Sequence, residues 1–126
     1  MEERFKYMFD RSTGILYKYY YGSIIFDDIF SSWDFAIENK VIPKETKGFI
    51  LDYRDATLGN LLKEYWRISD YYKKNLDIFG NKKIAIITER PKDSVVPALV
   101  ETKDEGYSSR PFFSTEAAVE WILGES

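Results

Sequence analysis

The side chains best placed to do chemistry fall in two short runs, Asp52-Tyr53-Arg54-Asp55-Ala56-Thr57 and Thr88-Glu89-Arg90, each directly after an apolar stretch. Carboxylates beside guanidiniums can orient a polar ligand or a partner peptide through charge-assisted hydrogen bonds. The plainer outcome is that the charges satisfy one another, with Asp52 capping the next helix or pairing with Arg54 or Arg90. A hydrolytic pair needs two carboxyl groups held close together with split pKa values. Asp52 and Asp55 are near in sequence, but nothing around them indicates a sugar groove or a metal cradle. A phospho-accepting aspartate would need an acidic pair after the first strand to hold magnesium and a lysine after the last strand. Neither is in place: the last apolar run, Pro111-Phe112-Phe113, ends in Ser114.

Composition narrows the chemistry further. The 126 residues include no histidine and no cysteine. Imidazole bases, Ser-His-Asp triads, His-ligated zinc, thiolate nucleophiles, iron–sulfur clusters and disulfides are therefore excluded. The seven glycines are scattered and form no phosphate-cradling loop. No catalytic, cofactor-binding or metal-ligating residue is assigned, and the expectation is a chain that is not an enzyme. A net charge of -3, mixed along the chain, gives no footprint for nucleic acid. No apolar stretch approaches the length of a membrane span. The acidic start Met1-Glu2-Glu3 is unlike a signal peptide, so the cytoplasm is the expected compartment.

Aromatic residues make up 17% of the chain, with ten tyrosines. Tyr17, Tyr19, Tyr20 and Tyr21 crowd one run; Tyr65, Trp66, Tyr71 and Tyr72 crowd another. Tyr65 and Tyr72 fit an apolar helical stripe, whereas Trp66 and Tyr71 lie off it. Such side chains suit contact surfaces, being large and apolar with a polar tip. The expected contact patch is Tyr53, Trp66 and Tyr71.

The elements that must position these groups follow from periodicity. Phe5–Phe9 reads as a strand and Ile15–Tyr21 alternates with a period of two, on either side of the turn-forming Asp10-Arg11-Ser12-Thr13-Gly14, predicting a hairpin closed by Gly22. Phe26, Ile29, Phe30, Trp33, Ala36 and Ile37 share one helical face, with Asp27 and Asp28 in the first turn. Gly48–Tyr53 reads as a central strand covered on both faces. Leu58, Leu62, Tyr65, Ser69, Tyr72, Leu76 and Phe79 hold a helical period over about five turns, stopped by Gly80. Ile84–Thr88 reads as a second buried strand. A helix opened by Pro91 runs to Glu105-Gly106, and Pro111–Phe113 reads as an edge strand. Ser114 caps a last helix with Ala118, Trp121 and Ile122 facing inward. The order β-β-α-β-α-β-α-β-α predicts one α/β domain over residues 1–126, a mixed, mostly parallel sheet with about four helices.

Particular residues carry a family likeness: Gly22 before Phe26-Asp27-Asp28; Gly48-Phe49-Ile50-Leu51-Asp52; Lys83-Ile84-Ala85-Ile86-Ile87; and Phe112-Phe113-Ser114-Thr115-Glu116-Ala117-Ala118 with Trp121-Ile122. Together they resemble the STAS domains, and more narrowly the stand-alone SpoIIAA-like bacterial proteins related to anti-sigma factor antagonists. The resemblance implies that fold and a protein-binding habit. In regulated members a serine after the central strand's aspartate is phosphorylated. Here no serine follows Asp52, and Thr57 is the nearest hydroxyl, off that spacing.

The functional expectation is a non-enzymatic, cytoplasmic interaction or regulatory module, binding a protein partner or itself as a homodimer. Asp52, Tyr53, Arg54, Asp55, Thr57, Trp66 and Tyr71 are the candidate partner-binding residues, without cofactor or metal. The alternatives are a small apolar ligand or lipid between a helix and the aromatic sheet, and a phospho-regulated switch through Thr57.

Overall fold

The computed structural model describes residues 4–124. Strand β1 (Phe5–Asp10) and strand β2 (Ile15–Ser23) form the expected hairpin, antiparallel from Phe5 opposite Tyr20 to Asp10 opposite Ile15. Strands β3 (Gly48–Thr57), β4 (Lys83–Ile87) and β5 (Ser108–Phe112) follow in parallel, and the sheet order is β1-β2-β3-β4-β5. Leu51 and Ile86 are register partners at its centre. The protein is thus α/β with a mixed sheet of one antiparallel pair and three parallel ones.

Helix α1 (Phe26–Glu38) joins β2 to β3. Asp28 accepts from the Ile25 backbone amide at 2.9 Å, and with Asp27 it supplies the negative charge favoured in a first turn. Helices α2 (Trp66–Lys74) and α3 (Leu76–Phe79) join β3 to β4, helix α4 (Val95–Glu101) joins β4 to β5, and helix α5 (Thr115–Leu123) follows β5. Ser114 caps α5, its Oγ accepting from Ala117 N at 3.1 Å.

Sequential strand order fixes where the helices lie. Crossovers of one hand between successive parallel neighbours all fall on one face of a sheet. Residues of α1 to α4 accordingly pack with Leu16, Tyr20, Phe49, Leu51, Ile84 and Ile86 in one large core. Trp33, Phe49 and Phe79 meet there with ring centroids 5.1–5.7 Å apart. Helix α5 is not a crossover and turns under the sheet. Its Ala118, Val119, Trp121 and Ile122 cover Ile15, Ile50, Ala85 and Ile87 in a second, smaller core. That close approach requires Gly48, where an added Cβ would come within 2.7 Å of Ile122 Cγ2.

Four boundaries differ from expectation. Gly22 does not close β2: it sits inside the strand at φ +85°, next to the register shift between Tyr19 and Tyr21. The central strand does not stop at Tyr53 but runs to Thr57, because β2 extends alongside and supplies ladder partners. The long helix over Leu58–Phe79 is broken. Leu58 is a buried residue beyond the strand, Gly59–Leu61 forms a 3-10 turn, and regular helix starts only at Trp66. Gly59 and Asn60 are poor helix formers, and Asn75 interrupts again at φ -127°, its side-chain amide donating to Tyr71 O at 2.9 Å. Leu58, Ser69, Tyr72 and Phe79 of the predicted stripe are buried, whereas Leu62 and Leu76, at the two breaks, are turned to solvent. Finally, Pro91 opens a 3-10 turn (Pro91–Ser94) rather than the α-helix itself, and α4 ends at Glu101, short of Gly106.

Candidate functional site

Two surface hollows contain most of the residues singled out by type and spacing. The first lies at the carboxyl ends of the parallel strands, where open α/β sheets collect ligands. Beyond Asp52 the β3 strand has no register partner in β4, so its last residues pair with β2 alone. The resulting notch, about 330 Å³, is lined by Gly22, Ser23, Arg54, Asp55, Ala56, Thr57, Glu89 and Arg90.

Charges in this notch are largely self-satisfied. Arg54 Nη2 lies 2.6 Å from Asp52 Oδ2 and donates to Thr115 Oγ1 at 3.2 Å, tying the strand to the start of α5. The bond to Asp52 raises the Arg54 pKa above its ordinary value. Arg90 Nε donates to the buried Asp93 at 2.7 Å, and its Nη2 reaches Ala56 O at 3.4 Å, covering the open side of β3. Asp55, Thr57 and Glu89 remain exposed, and among the described residues neither acid has an ionic partner. Asp52 is buried, so its role is to hold Arg54.

Tyr53 is a correction. It was expected in a contact patch, but strand parity turns it into the large core, where its ring stacks on Tyr20 at 4.0 Å between centroids. Burial raises the pKa of its hydroxyl. A patch uniting Tyr53, Trp66 and Tyr71 therefore does not form.

Trp66 and Tyr71 do come together, with different neighbours. They line a groove of about 260 Å³ between α1 and α2 with Phe30, Arg67, Asp70 and Lys74. Trp66 is 47% exposed. Tyr71 is half-buried: its ring stacks on Phe30 at 5.1 Å, and its hydroxyl donates to Asp34 Oδ1 at 2.7 Å. Burial, then Asp34, raises its pKa. The Arg67 guanidinium lies over Phe26 at 4.4 Å and beside Phe30 at 5.7 Å. Phe30 and Arg67 were missed as site residues because the helical stripe assigned Phe30 to the core and Arg67 to a solvated face. Phe26 and Phe30, one turn apart, were the available signal.

Lys18 was also missed. It is 0% exposed, and its ammonium sits 4.0 Å from the Trp33 ring centroid, 4.6 Å from Tyr20, 5.4 Å from Phe5 and 5.7 Å from Tyr7. Nζ donates to Ser32 Oγ at 2.5 Å, and no carboxylate among the described residues reaches it. Burial lowers its pKa well below the ordinary value, while the ring faces favour the cation. No groove opens onto it, so the cluster is internal structure.

Between α2, α4 and the sheet, a hollow lined by Leu51, Tyr53, Ile68, Tyr72, Ile86 and Val96 measures about 20 Å³. That is room for about one water, not for a lipid. Among the described residues no group of three or more Asp or Glu is arranged to hold a metal ion, and no helix is long and apolar enough to cross a membrane. Comparison with protein-family models, with curated proteins and with solved structures finds no match to this chain.

Proposed function

We propose that this chain is a non-enzymatic protein-interaction module of the STAS-like type, acting in the cytoplasm, and that it docks its partner in the groove between α1 and α2. The observation that carries the reading is Trp66, a large aromatic left half in solvent at the mouth of a groove floored by Phe30 and Tyr71. Exposed tryptophan and tyrosine in a concave site are the residues that dominate binding energy at protein interfaces. The groove carries mixed charge: Arg67, paired with Glu64, and Lys74 stand beside Asp70, and Asp34 accepts from Tyr71. The fitting partner is a protein segment presenting an apolar anchor flanked by polar groups. The notch at the strand ends leaves Asp55, Thr57 and Glu89 exposed but has no aromatic in its lining, so it lacks the apolar anchor that the α1–α2 groove supplies.

The test takes the protein partner recovered from the native host and titrates it, purified, against wild type, Trp66→Ala and Thr57→Ala. Trp66→Ala is expected to weaken binding roughly thirtyfold with its circular dichroism unchanged, as for a central aromatic anchor. Thr57→Ala is expected to bind like wild type. Equal affinity of Trp66→Ala and wild type overturns the groove assignment, and a large loss in Thr57→Ala alone moves the dock to the strand ends and favours the switch reading.

A further inference from the structure

We propose that two copies of this chain join edge to edge through β1, in an antiparallel pairing centred on Met8, to make one continuous sheet. The inference is independent of the α1–α2 groove.

Strand β1 ends the sheet. Arg4 O accepts from Tyr21 N at 3.0 Å, which sets the phase of the antiparallel ladder. By the alternation of that ladder, Lys6, Met8 and Asp10 turn their backbone groups to β2, while Phe5, Tyr7 and Phe9 direct theirs outward. Among the described residues nothing bonds those outward groups. Natural edge strands are protected by proline, bulges, brevity or charged side chains, lysine above all. The far edge has such a device, since β5 carries Pro111 within its five residues. Strand β1 has six residues, no proline and an unbroken register. The charges of β1, Lys6 and Asp10, are of opposite sign and so do not repel a reversed copy of the same strand.

The sequence of β1 is complementary to itself when reversed about Met8. Tyr7 then faces the partner's Phe9, and each such pair can exchange both backbone hydrogen bonds because both residues point outward. On the sheet face away from α1, Lys6 lies opposite the partner's Asp10 twice over, an opposite-charge cross-strand pair. Met8, 43% exposed, meets the partner's Met8 on the two-fold axis. A register centred on Tyr7 would set Asp10 against the partner's Arg4 instead. Arg4 is already engaged by Ser23 O and lies 3.5 Å from Asp28, so the Met8 register leaves Arg4 and Lys6 each with its own acceptor. On the other face Phe35, 54% exposed, flanks the same edge. It stands on the side of α1 that carries Asp28 and Ser32, which contact Arg4 and Tyr7 of this hairpin. An aromatic exposed on one face of an open edge and a methionine on the other are what an edge contact would cover.

Light scattering after size exclusion, run at about 100 µM to favour contacts of micromolar Kd, is expected to give twice 14.9 kDa. Lys6→Glu alone and Asp10→Lys alone each place like charges across the axis, and each is expected to weaken the dimer at least tenfold. Mixed in equal amounts they restore complementary pairs and are expected to form a heterodimer. Met8→Cys, in a chain with no other cysteine, is expected to cross-link rapidly on mild oxidation, with Lys6→Cys cross-linking far more slowly. Since Asp10 also accepts from Ser12 in the hairpin turn, circular dichroism accompanies each variant. A monomeric wild type overturns the proposal, as does a dimer indifferent to the charge mixing or one that cross-links equally at both positions.

Discussion

The β3–β4 half of the sheet and the β1–β2 half draw on similar apolar content but are covered differently. Phe49, Leu51, Ile84 and Ile86 lie under α1 to α4, while Ile50, Ala85 and Ile87 lie under α5, so this half is dry on both faces. In the β1–β2 half the helical face buries Leu16, Lys18 and Tyr20 but leaves Phe5, Tyr7 and Phe9 half-buried, and α5 does not extend beneath Tyr19, Tyr21, Lys6 and Met8, which line an open hollow of about 200 Å³. The residue types follow the difference. Isoleucine and alanine stand where both faces are sealed, and tyrosine stands where a side chain must cover the sheet yet meet water with its hydroxyl. The thinly covered half also contains the one lysine buried to 0% exposure.

The comparison breaks most visibly at Ile50, fully buried between β3 and α5. Ile50→Ala is expected to cost about 3 kcal/mol, combining lost transfer energy with a residual cavity. Thermal and urea unfolding measure it. A loss under about 1 kcal/mol would mean that α5 is loosely held and that the second face is not sealed at all.

Lys18 sharpens the comparison from the other side. Its pKa is lowered by burial, so between that depressed value and the ordinary 10.5 the unfolded chain binds a proton that the folded chain resists. Stability from this group is therefore fully present above the ordinary lysine pKa and is lost as pH falls through the window toward the depressed value. Lys18→Met keeps the volume and removes the titration. At neutral pH it is expected to gain about 1–4 kcal/mol, as when buried charge is replaced by apolar side chains. The gain is expected to shrink as pH rises toward 10.5. Denaturant melts of both proteins across that range check it. A variant less stable than wild type at neutral pH would show that the four ring faces outweigh desolvation.

Much of this architecture was legible because period and punctuation agree. The β1 run, the two-residue alternation of β2, the stripe of α1, the apolar runs of β3 and β4 and the Ser114 cap all appear where pattern places them. What escaped was set by neighbours rather than by local sequence. Nothing in Arg54-Asp55-Ala56-Thr57 signals a strand; it is extended because β2 runs beside it. The Leu58–Phe79 stripe finds Leu58, Ser69, Tyr72 and Phe79 as buried but is blind to the breaks at Gly59 and Asn75, beside which Leu62 and Leu76 are exposed. At the site, the pairing of Asp52 with Arg54 was readable from adjacency, and the exposure of Trp66 from its place off the stripe. Tyr53 was misplaced because, as the last residue of the expected strand, it was read as an open end, whereas it shares the parity of Phe49 and Leu51 and faces the core. Lys18 was unreadable because a polar residue at a core parity looks like an exposed one.

The smallest expected effect is the one that most directly measures the uncovered face. Tyr17 and Tyr19 lie two residues apart on it, their rings stacked 6.2 Å apart at an interplanar angle of 11°. Burial is the first cause of the raised pKa at Tyr19, followed by the nearby Asp52 charge, yet the residue stays only half-covered. Tyr19→Ala removes one stacked contact and some cross-strand area while opening no sealed cavity, so its expected cost is about 0.5 kcal/mol. Measured beside Ile50→Ala under the same conditions, it should differ severalfold. If the two variants lose equal stability, the tyrosine face is as dry as the isoleucine face, and something in the folded protein in solution covers it.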